Sequence, residues 1–541
     1  MGESRMIVTL LAINSKYVHS SLAVWVISAG VKCFAASANA KIDVNILETT
    51  IHHDNSDIVA ELVRRRPDVV GVSTYIWNAE KLPGLLRLLR ESLPQAQFVL
   101  GGPEAAYNSE YWLANGADHV LCGKGEYELP EFLFKTALLE SDKSECINPY
   151  SEEYFAELGS RLAYIETSRG CPFKCKFCLS GKECDSQVLC FPIETVKERI
   201  LELSKTNAKT IKFVDRTFNC NSARAYEIFE YVISLDTTRK FHFEVAADLF
   251  DERTLTLLSK AQPGRIQFEA GLQSFYKPAL EASSRKTDVE KAVENIKTIL
   301  AAGNIHVHVD LIAGLPYETL GDFKGSFNKA FAIKANTLQL GFLKLIHGSK
   351  LREEADVYEI KYSETPPYEI VSNPWLSESD LKTLKCVEDA LQHTYNKKRF
   401  LTSLDYVMNV SPELTPFDFF LELGNNVGAA HGVCLGEYAE KFYSYCAALP
   451  KVENEKLLDC MACDWLGMVR GNNKPSFLKR YDKNSCKLAK AFAEKALGRK
   501  IVRYEAAVLY SGEIALADSQ NCDPVTGLYK VTVVDWRKGG L

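Results

Sequence analysis

Twice along this chain, short β-rich runs alternate with segments of helical periodicity, and that rhythm restricts the fold to α/β architectures built on parallel sheets. In the first series the strand-like runs are Ile7 to Ile13, Asp43 to Leu47, Val69 to Ser73, Phe98 to Leu100 and His119 to Leu121. Helical segments lie between them, at Ser21 to Phe34, Ser56 to Arg66, Ala79 to Ser92 and Glu126 to Thr136. The series predicts a Rossmann-like, flavodoxin-like domain over residues 1–138, whose ligands collect at the carboxyl ends of the strands. Those ends are small or polar: Ser73-Thr74, Gly101-Gly102-Pro103-Glu104 and Gly123-Lys124-Gly125-Glu126.

Periodicity fades over residues 139–160, which read as a linker rich in charge and turn formers. The second series covers residues 161–345. Its strands are Arg161 to Ser168, Thr210 to Val214, His242 to Ala246, Arg265 to Ala270, His306 to Ala313 and Thr337 to Leu345. Its helices are Ile193 to Lys205, Ala223 to Ser234, Glu252 to Ala261, Val289 to Ala302 and Gly321 to Ala335. Some six consecutive units predict a partial (β/α) barrel, with functional groups at the carboxyl ends of its strands. Residues 346–541 form a third, mostly helical domain; Ser377 to Asn396 and Ser485 to Leu497 read as helices, Val502 to Tyr510 and Lys530 to Trp536 as strands.

Composition narrows the class. Of the 541 residues 46% are hydrophobic and 25% charged, which is the balance of folded globular domains. Lys and Arg number 64 against 70 Asp and Glu, a net charge of -6 that argues against a nucleic-acid partner. The 16 cysteines form no regular framework, so a reducing, cytoplasmic setting is expected rather than a secreted disulfide scaffold. The apolar run Met6 to Ile13 is too short for a signal peptide and meets no small-residue cleavage site, and neither membrane span nor lipid anchor is expected.

Just after the first strand of the second series comes Gly170-Cys171-Pro172-Phe173-Lys174-Cys175-Lys176-Phe177-Cys178. Cys171, Cys175 and Cys178 in C-x3-C-x2-C spacing suit three irons of a [4Fe-4S] cube whose fourth iron stays open. A zinc site or three buried thiols are the alternatives. Zinc recruits a fourth ligand at short paired spacing, and Cys184 and Cys190 are badly placed to supply it.

This loop resembles the signature of the radical S-adenosylmethionine (SAM) enzymes, and Gly271-Leu272-Gln273-Ser274 and Asp310 to Pro316 resemble their later barrel strands. The N-terminal glycine motifs are similar to the cobalamin-binding domain fused to one large class of them, and the tail resembles the uncharacterised C-terminal domain of a subset of these B12-binding proteins. The resemblance implies three cofactors: a [4Fe-4S] cluster on Cys171, Cys175 and Cys178, SAM on the open iron, and cobalamin. Phe177 matches an aromatic position beside the adenine. Glu244, Gln273, Ser274 and Asp310 lie at strand ends, where they can take the ribose hydroxyls or the aminocarboxylate of SAM. Arg216 either clamps the SAM carboxylate or pairs with Asp215 as an internal salt bridge. For cobalamin, Gly101, Gly102, Gly123 and Gly125 allow close approach of the corrin, Ser73 and Thr74 offer hydroxyls to its tail, and Pro103, Glu104 and Glu126 complete the strand-end motifs.

Other features have plainer readings. The Asp-x-His-x-x-Gly motif that brings a histidine to cobalt is absent, so His19 is expected to make a packing or polar contact. Cys460 and Cys463 form a C-x2-C pair that, with Cys446 or Cys486, offers an auxiliary cluster as an alternative, but they share one face of a helical-looking stretch and a structural role is expected of them. His306 and His308 alternate along a strand and share one side of it. The implied activity is methyl transfer to an unactivated carbon or phosphorus centre, through a 5′-deoxyadenosyl radical and methylcobalamin. Radical cyclisation, ring contraction or oxidation with cobalamin as electron mediator is the alternative, and a cofactor-responsive binding protein with a structural cluster a third. The substrate expected is a small molecule or peptide, with an external electron donor of flavodoxin or ferredoxin type.

Overall fold

A computed structural model describes residues 5–135, 147–182, 187–428, 432–468, 475, 487, 490–495 and 498–535. Cys184, Cys486, Trp536, much of the expected linker and part of the expected helix Ser485 to Leu497 lie outside these residues. The chain divides into two compact units. The first comprises residues 1–260, 281–287 and 342–374; the second comprises 261–280, 288–341 and 375–541.

In the first unit, β1 (Met6–Asn14), β2 (Ile42–Thr50), β3 (Val69–Ser73), β4 (Gln97–Gly101) and β5 (His119–Val120) form a parallel sheet ordered β2-β1-β3-β4-β5. β3 is buried throughout, which its unbroken Val-Val-Gly-Val run anticipates for a strand covered on both faces. Leu82, Leu85, Leu86 and Leu89 recur at helical spacing along helix Leu82–Ser92 and pack with Val70, Val72, Phe98 and Leu100 of the sheet. The strand order reverses direction between β1 and β3, which opens a crevice at their carboxyl ends. Glu48 fixes the loop that leaves β1: its carboxylate accepts from Asn14 Nδ2, Ser21 N, Trp25 Nε1 and Arg161 Nη1 at 2.9–3.0 Å.

The stretch expected to be an irregular linker contains helix Glu152–Leu158. Ser151 caps it, and Tyr154 is buried to 1% exposure. β6 (Ala163–Ile165) follows and then stops short of the expected Ser168. Ser168–Arg169 (β7) turns away to pair antiparallel with Leu189–Cys190 (β8), closing the base of the cysteine loop. β9 (Thr210–Phe213) and β10 (Lys240–Val245) extend β6 into a parallel ladder ordered β10-β9-β6. Residues 342–374 fold with this first unit, although 342–345 were expected to end the barrel and 346–374 to begin the third domain, and they carry the hairpin of β14 (Lys361–Tyr362) and β15 (Ile370–Ser372).

In the second unit β11 (Ile266–Gln273), β12 (His306–Ala313) and β13 (Thr337–Phe342) run in the order β13-β12-β11. β11 and β12 alternate strictly between buried and half-buried positions, so Gln267, Glu269 and Gln273, like His306, His308 and Asp310, share one face of their strands. The C-terminal helices grip helix Leu320–Phe331 through aromatic side chains: Phe327 meets Phe417 and Phe420, and Phe331 meets Tyr395 and Phe420, at 5.1–6.0 Å between centroids. An antiparallel sheet closes the chain, ordered β16 (Tyr504–Val508), β17 (Ile514–Cys522) and β18 (Tyr529–Val534). Asp459 of helix Asn454–Met468 accepts from the backbone of Tyr510 and Ser511 in the turn between β16 and β17.

Candidate functional site

The cysteine loop leaves β7 through Gly170, whose φ of 90° suits glycine. Gly181 lies so close to the loop's other limb that a Cβ there would come within 2.2 Å of the Phe173 carbonyl oxygen. Cys171 and Cys175 are each 8% exposed, and Cys178 is half-buried. Each thiol meets a different partner: Cys171 Sγ lies 3.3 Å from Thr217 Oγ1, Cys178 Sγ 3.4 Å from Ser180 Oγ, and Cys175 Sγ 3.8 Å from Arg285 Nη1. Burial raises the Cys175 thiol above its ordinary range, and Arg285 pulls it back. The loop is also held from outside, since Lys176 N donates to Ser283 O, Leu351 N donates to Lys176 O, and Lys176 Nζ bonds Glu354 and the Tyr358 hydroxyl.

Three soft thiolates are the donor set of an iron–sulfur cube, which takes one thiolate per iron and does not need them to meet at a point. Among the described residues no three His, Cys, Asp or Glu side chains are gathered to hold a single metal ion. The residues present fit the cluster.

A cavity of about 550 Å³ opens at the carboxyl ends of the first unit's strands. Ser73, Gly101, Gly102, Gly123, Gly125 and Glu126 line one side of it, and Arg216 and Glu244, from the ends of β9 and β10, line another. Gly102 has a φ of 100°, and a Cβ there would come 2.6 Å from the Thr74 carbonyl oxygen. Gly101 is under no such constraint, since its Cβ would meet Leu121 at an ordinary 3.6 Å. Hydroxyls of Ser20, Ser21 and Ser73 and bare glycine backbone on a crevice wall are what a corrin with a nucleotide tail needs, and these residues fit cobalamin. Arg216 stands 3.8 Å from Glu244 and is 60% exposed, so its fork is open to a carboxylate. Thr217, next in sequence, faces Cys171, which brings the cysteine loop close to this wall.

The salt bridge considered between Asp215 and Arg216 does not form. Asp215 turns inward to accept from Thr167 N, Thr167 Oγ1 and Ser168 Oγ, while Arg216 turns to Glu244. Burial pushes the Asp215 carboxyl up to about 6 against those donors. His19 lines the cavity and bonds the Tyr164 hydroxyl through Nδ1 at 2.6 Å, a polar contact of the kind expected of it.

Other residues singled out in the sequence are not among those that line the cavity. Thr74 is fully buried, and Pro103 opens the short helix Pro103–Ala106. Glu104 is buried, accepts a 2.6 Å hydrogen bond from the Tyr368 hydroxyl, and has its carboxyl raised by that burial. Phe177 is half-buried within the cysteine loop. Three more belong to the second unit. Ser274 is fully buried and donates to Glu318 at 2.5 Å, Gln273 takes a left-handed φ of 71°, and Asp310 lies 3.2 Å from His308 Nε2. Cys460 and Cys463 sit on helix Asn454–Met468, where burial raises both thiols, to about 11 and about 12.

Sequence reasoning passed over several cavity residues. Glu166 and Arg169 flank the cysteine motif, and Arg169 forks onto Glu166 at 2.8 Å while also reaching Glu126. Lys212 pairs with Glu244 at 3.4 Å. Tyr75 and Trp77 stack at 4.3 Å on the wall, with the indole nitrogen donating to Ile13 O. Only the adjacency of Glu166 and Arg169 to the motif was a usable signal.

Three family models match the chain: the B12 binding domain over residues 9–133, the radical SAM superfamily over 165–330, and a protein of unknown function (DUF4080) over 356–511. The uncharacterized methyltransferase PH0819 of Pyrococcus horikoshii is 22% identical over 363 residues, 60% of this chain and 78% of that one. The cobalamin-dependent radical SAM methyltransferase TokK of Streptomyces tokunonensis is 22% identical over 59% of this chain, which spans about half of TokK, 53%. Among solved structures, the radical SAM methyltransferase TsrM from Kitasatospora setae, with cobalamin and [4Fe-4S] cluster bound, superposes with a TM-score of 0.53 at 15% identity, covering 68% of this chain and 79% of that one. With a B12-binding domain, a radical SAM domain and their cofactors [4Fe-4S], SAM and cobalamin, the chain belongs to the B12-binding radical SAM enzymes that carry a DUF4080 domain.

Proposed function

We propose that this chain catalyses radical methyl transfer to an unactivated carbon or phosphorus centre of a small molecule or peptide. One observation carries the reading. The strand-end residues suited to cobalamin (Ser73, Gly101, Gly102, Gly123 and Gly125) and two suited to SAM (Arg216 and Glu244) line a single cavity. Two cofactors that must exchange groups need such a shared space. The methyltransferase names of PH0819 and TokK support the same reaction class.

When bound, the reduced cluster supplies the electron that splits SAM, and cobalamin carries the methyl group. The chain's own part is placement. Cys171, Cys175 and Cys178 anchor the irons, and Phe177 borders the loop. Arg216 and Glu244 offer opposite charges to the carboxylate and to the amino or ribose groups of SAM. The glycine edges admit the corrin, and Ser20, Ser21 and Ser73 receive its polar tail. Arg169, held charged by Glu166 and Glu126 against the cost of its burial, keeps the wall between the cysteine loop and the first domain in place. An external donor of flavodoxin or ferredoxin type and a cytoplasmic setting complete the proposal; no helix among the described residues is long and apolar enough to cross a membrane.

The test is to load cluster and cobalamin, reduce, and add SAM. 5′-Deoxyadenosine is expected, with S-adenosylhomocysteine appearing alongside it once substrate is present. No 5′-deoxyadenosine under competent reduction overturns the radical reading. Substrate turnover without S-adenosylhomocysteine overturns methyl transfer in favour of cyclisation or oxidation.

A further inference from the structure

The three cluster thiols are not in equivalent surroundings. Cys171 and Cys178 face neutral hydroxyls, those of Thr217 and Ser180, whereas Cys175 faces a guanidinium, with Arg285 Nη1 3.8 Å from its sulfur. That placement is built. Residues 281–287 fold with the first unit, and the carbonyl of fully buried Ser283 accepts from Lys176 N at 2.9 Å, tying the segment to the residue after Cys175. Ser284 then takes a left-handed φ of 53°, with its N–H returned to Glu281 O, and the turn delivers Arg285 to Cys175. Cys175 is only 8% exposed, so water screens the pair weakly.

We infer that Arg285 is a positioning residue of the cluster, whose guanidinium on Cys175 makes the cluster easier to reduce. The inference rests on the reading of Cys171, Cys175 and Cys178 as cluster ligands. Reduction adds one electron and no proton to a unit that already carries three thiolates, so each added negative charge is favoured by a fixed cation and by a hydrogen bond to sulfur. The electron comes from a low-potential one-electron donor.

The experiment compares wild-type protein, R285M and R285K, loaded with cluster and titrated anaerobically without SAM, with the reduced cluster followed by electron paramagnetic resonance. Iron and sulfide are measured first. Equal cluster content is expected in all three. At a fixed solution potential R285M should show a reduced-to-oxidised ratio about tenfold lower than wild type, a midpoint about 59 mV more negative for a one-electron couple. R285K, which keeps the charge, should fall between the two. An unchanged midpoint in R285M overturns the inference and leaves the cluster reading standing. Loss of cluster in both variants also overturns it, because Arg285 would then be needed for the loop's fold. A wild-type chain that takes up no cluster overturns the cluster reading and this inference together.

Discussion

The ends of β9 and β10 in the first unit and the loops after β11 and β12 in the second carry equally polar residues, yet those residues are engaged very differently. Arg216 and Glu244 line a cavity and meet each other loosely at 3.8 Å. Ser274 and Ser326 both donate to one oxygen of Glu318, at 2.5 and 2.9 Å, in a pocket where all three are essentially unexposed. A polar residue at a strand end is thus not by itself a ligand contact. Whether its hydrogen bonds are already taken inside the protein decides between binding and structure. If that distinction holds, variants on the first rim alter what the protein binds while sparing its fold, and variants on the second do the reverse.

The largest effect is expected at the cysteine loop. Replacing Cys171 with Ala should abolish cluster loading, read as iron and sulfide content, while the melting temperature of the cluster-free protein stays close to that of cluster-free wild type. Next comes Glu318→Ala, which strands two buried hydroxyls and should cost roughly 3 kcal/mol, read as a fall in melting temperature with cluster loading retained.

Glu318 also supplies a pH test. Burial pushes its carboxyl from 4.5 up to about 7 in the folded chain, against the donors Ser274 and Ser326. The native state holds this proton more tightly than the unfolded state. Its contribution to stability is therefore complete below about pH 4.5 and is lost as pH rises through about 7. Glu318→Gln, which mimics the protonated form, should melt near wild type at pH 5 and gain on it at pH 8. A constant difference across that window would break the assignment.

Back on the first rim, Arg216→Ala should weaken SAM binding about tenfold, or about 1.4 kcal/mol, by calorimetry on cluster-loaded protein, with the melting temperature unmoved. The smallest structural change is Gly101→Ala. Its Cβ meets only an ordinary contact with Leu121, so folding should be preserved while retention of cobalamin falls. Full retention would remove Gly101 from the corrin wall. Gly102→Ala is the contrasting variant, expected to lose stability because its backbone is both left-handed and crowded by Thr74.

The sequence made elements legible wherever their periodic runs were long and bounded: the strands Val69–Ser73 and His306–Ala313 and the helix Val289–Ala302 match the observed limits. The helices Leu401–Val410, Pro416–Val427 and Leu435–Ala447 went unread. In the middle one Phe417, Phe419 and Phe420 crowd the first turn and Gly424 interrupts the second half, so the helical period is blurred although Glu422, Asn425 and Asn426 form an exposed face. The β17 strand was missed as well, its second half carrying the polar run Asp518 to Asn521. At the site, motif spacing picked out the thiols, but no local signal could reveal that Ser274 is spent on Glu318, 44 residues away, or that Tyr75 and Trp77 stack on the cavity wall. Such pairings exist only after the chain has closed on itself.

The return of residues 342–374 to the first unit sets a rule for anyone exchanging modules among related proteins. Tyr368 bonds Glu104 and Asn108 bonds His347, so the N-terminal sheet and its connections share polar contacts with a segment more than two hundred residues downstream. A chimera cut at the sequence boundary after residue 138 would graft a foreign sheet onto Tyr368 and leave a buried hydroxyl without its acceptor. The transplantable module is discontinuous, and a working exchange has to carry residues 342–374 along with the N-terminal sheet.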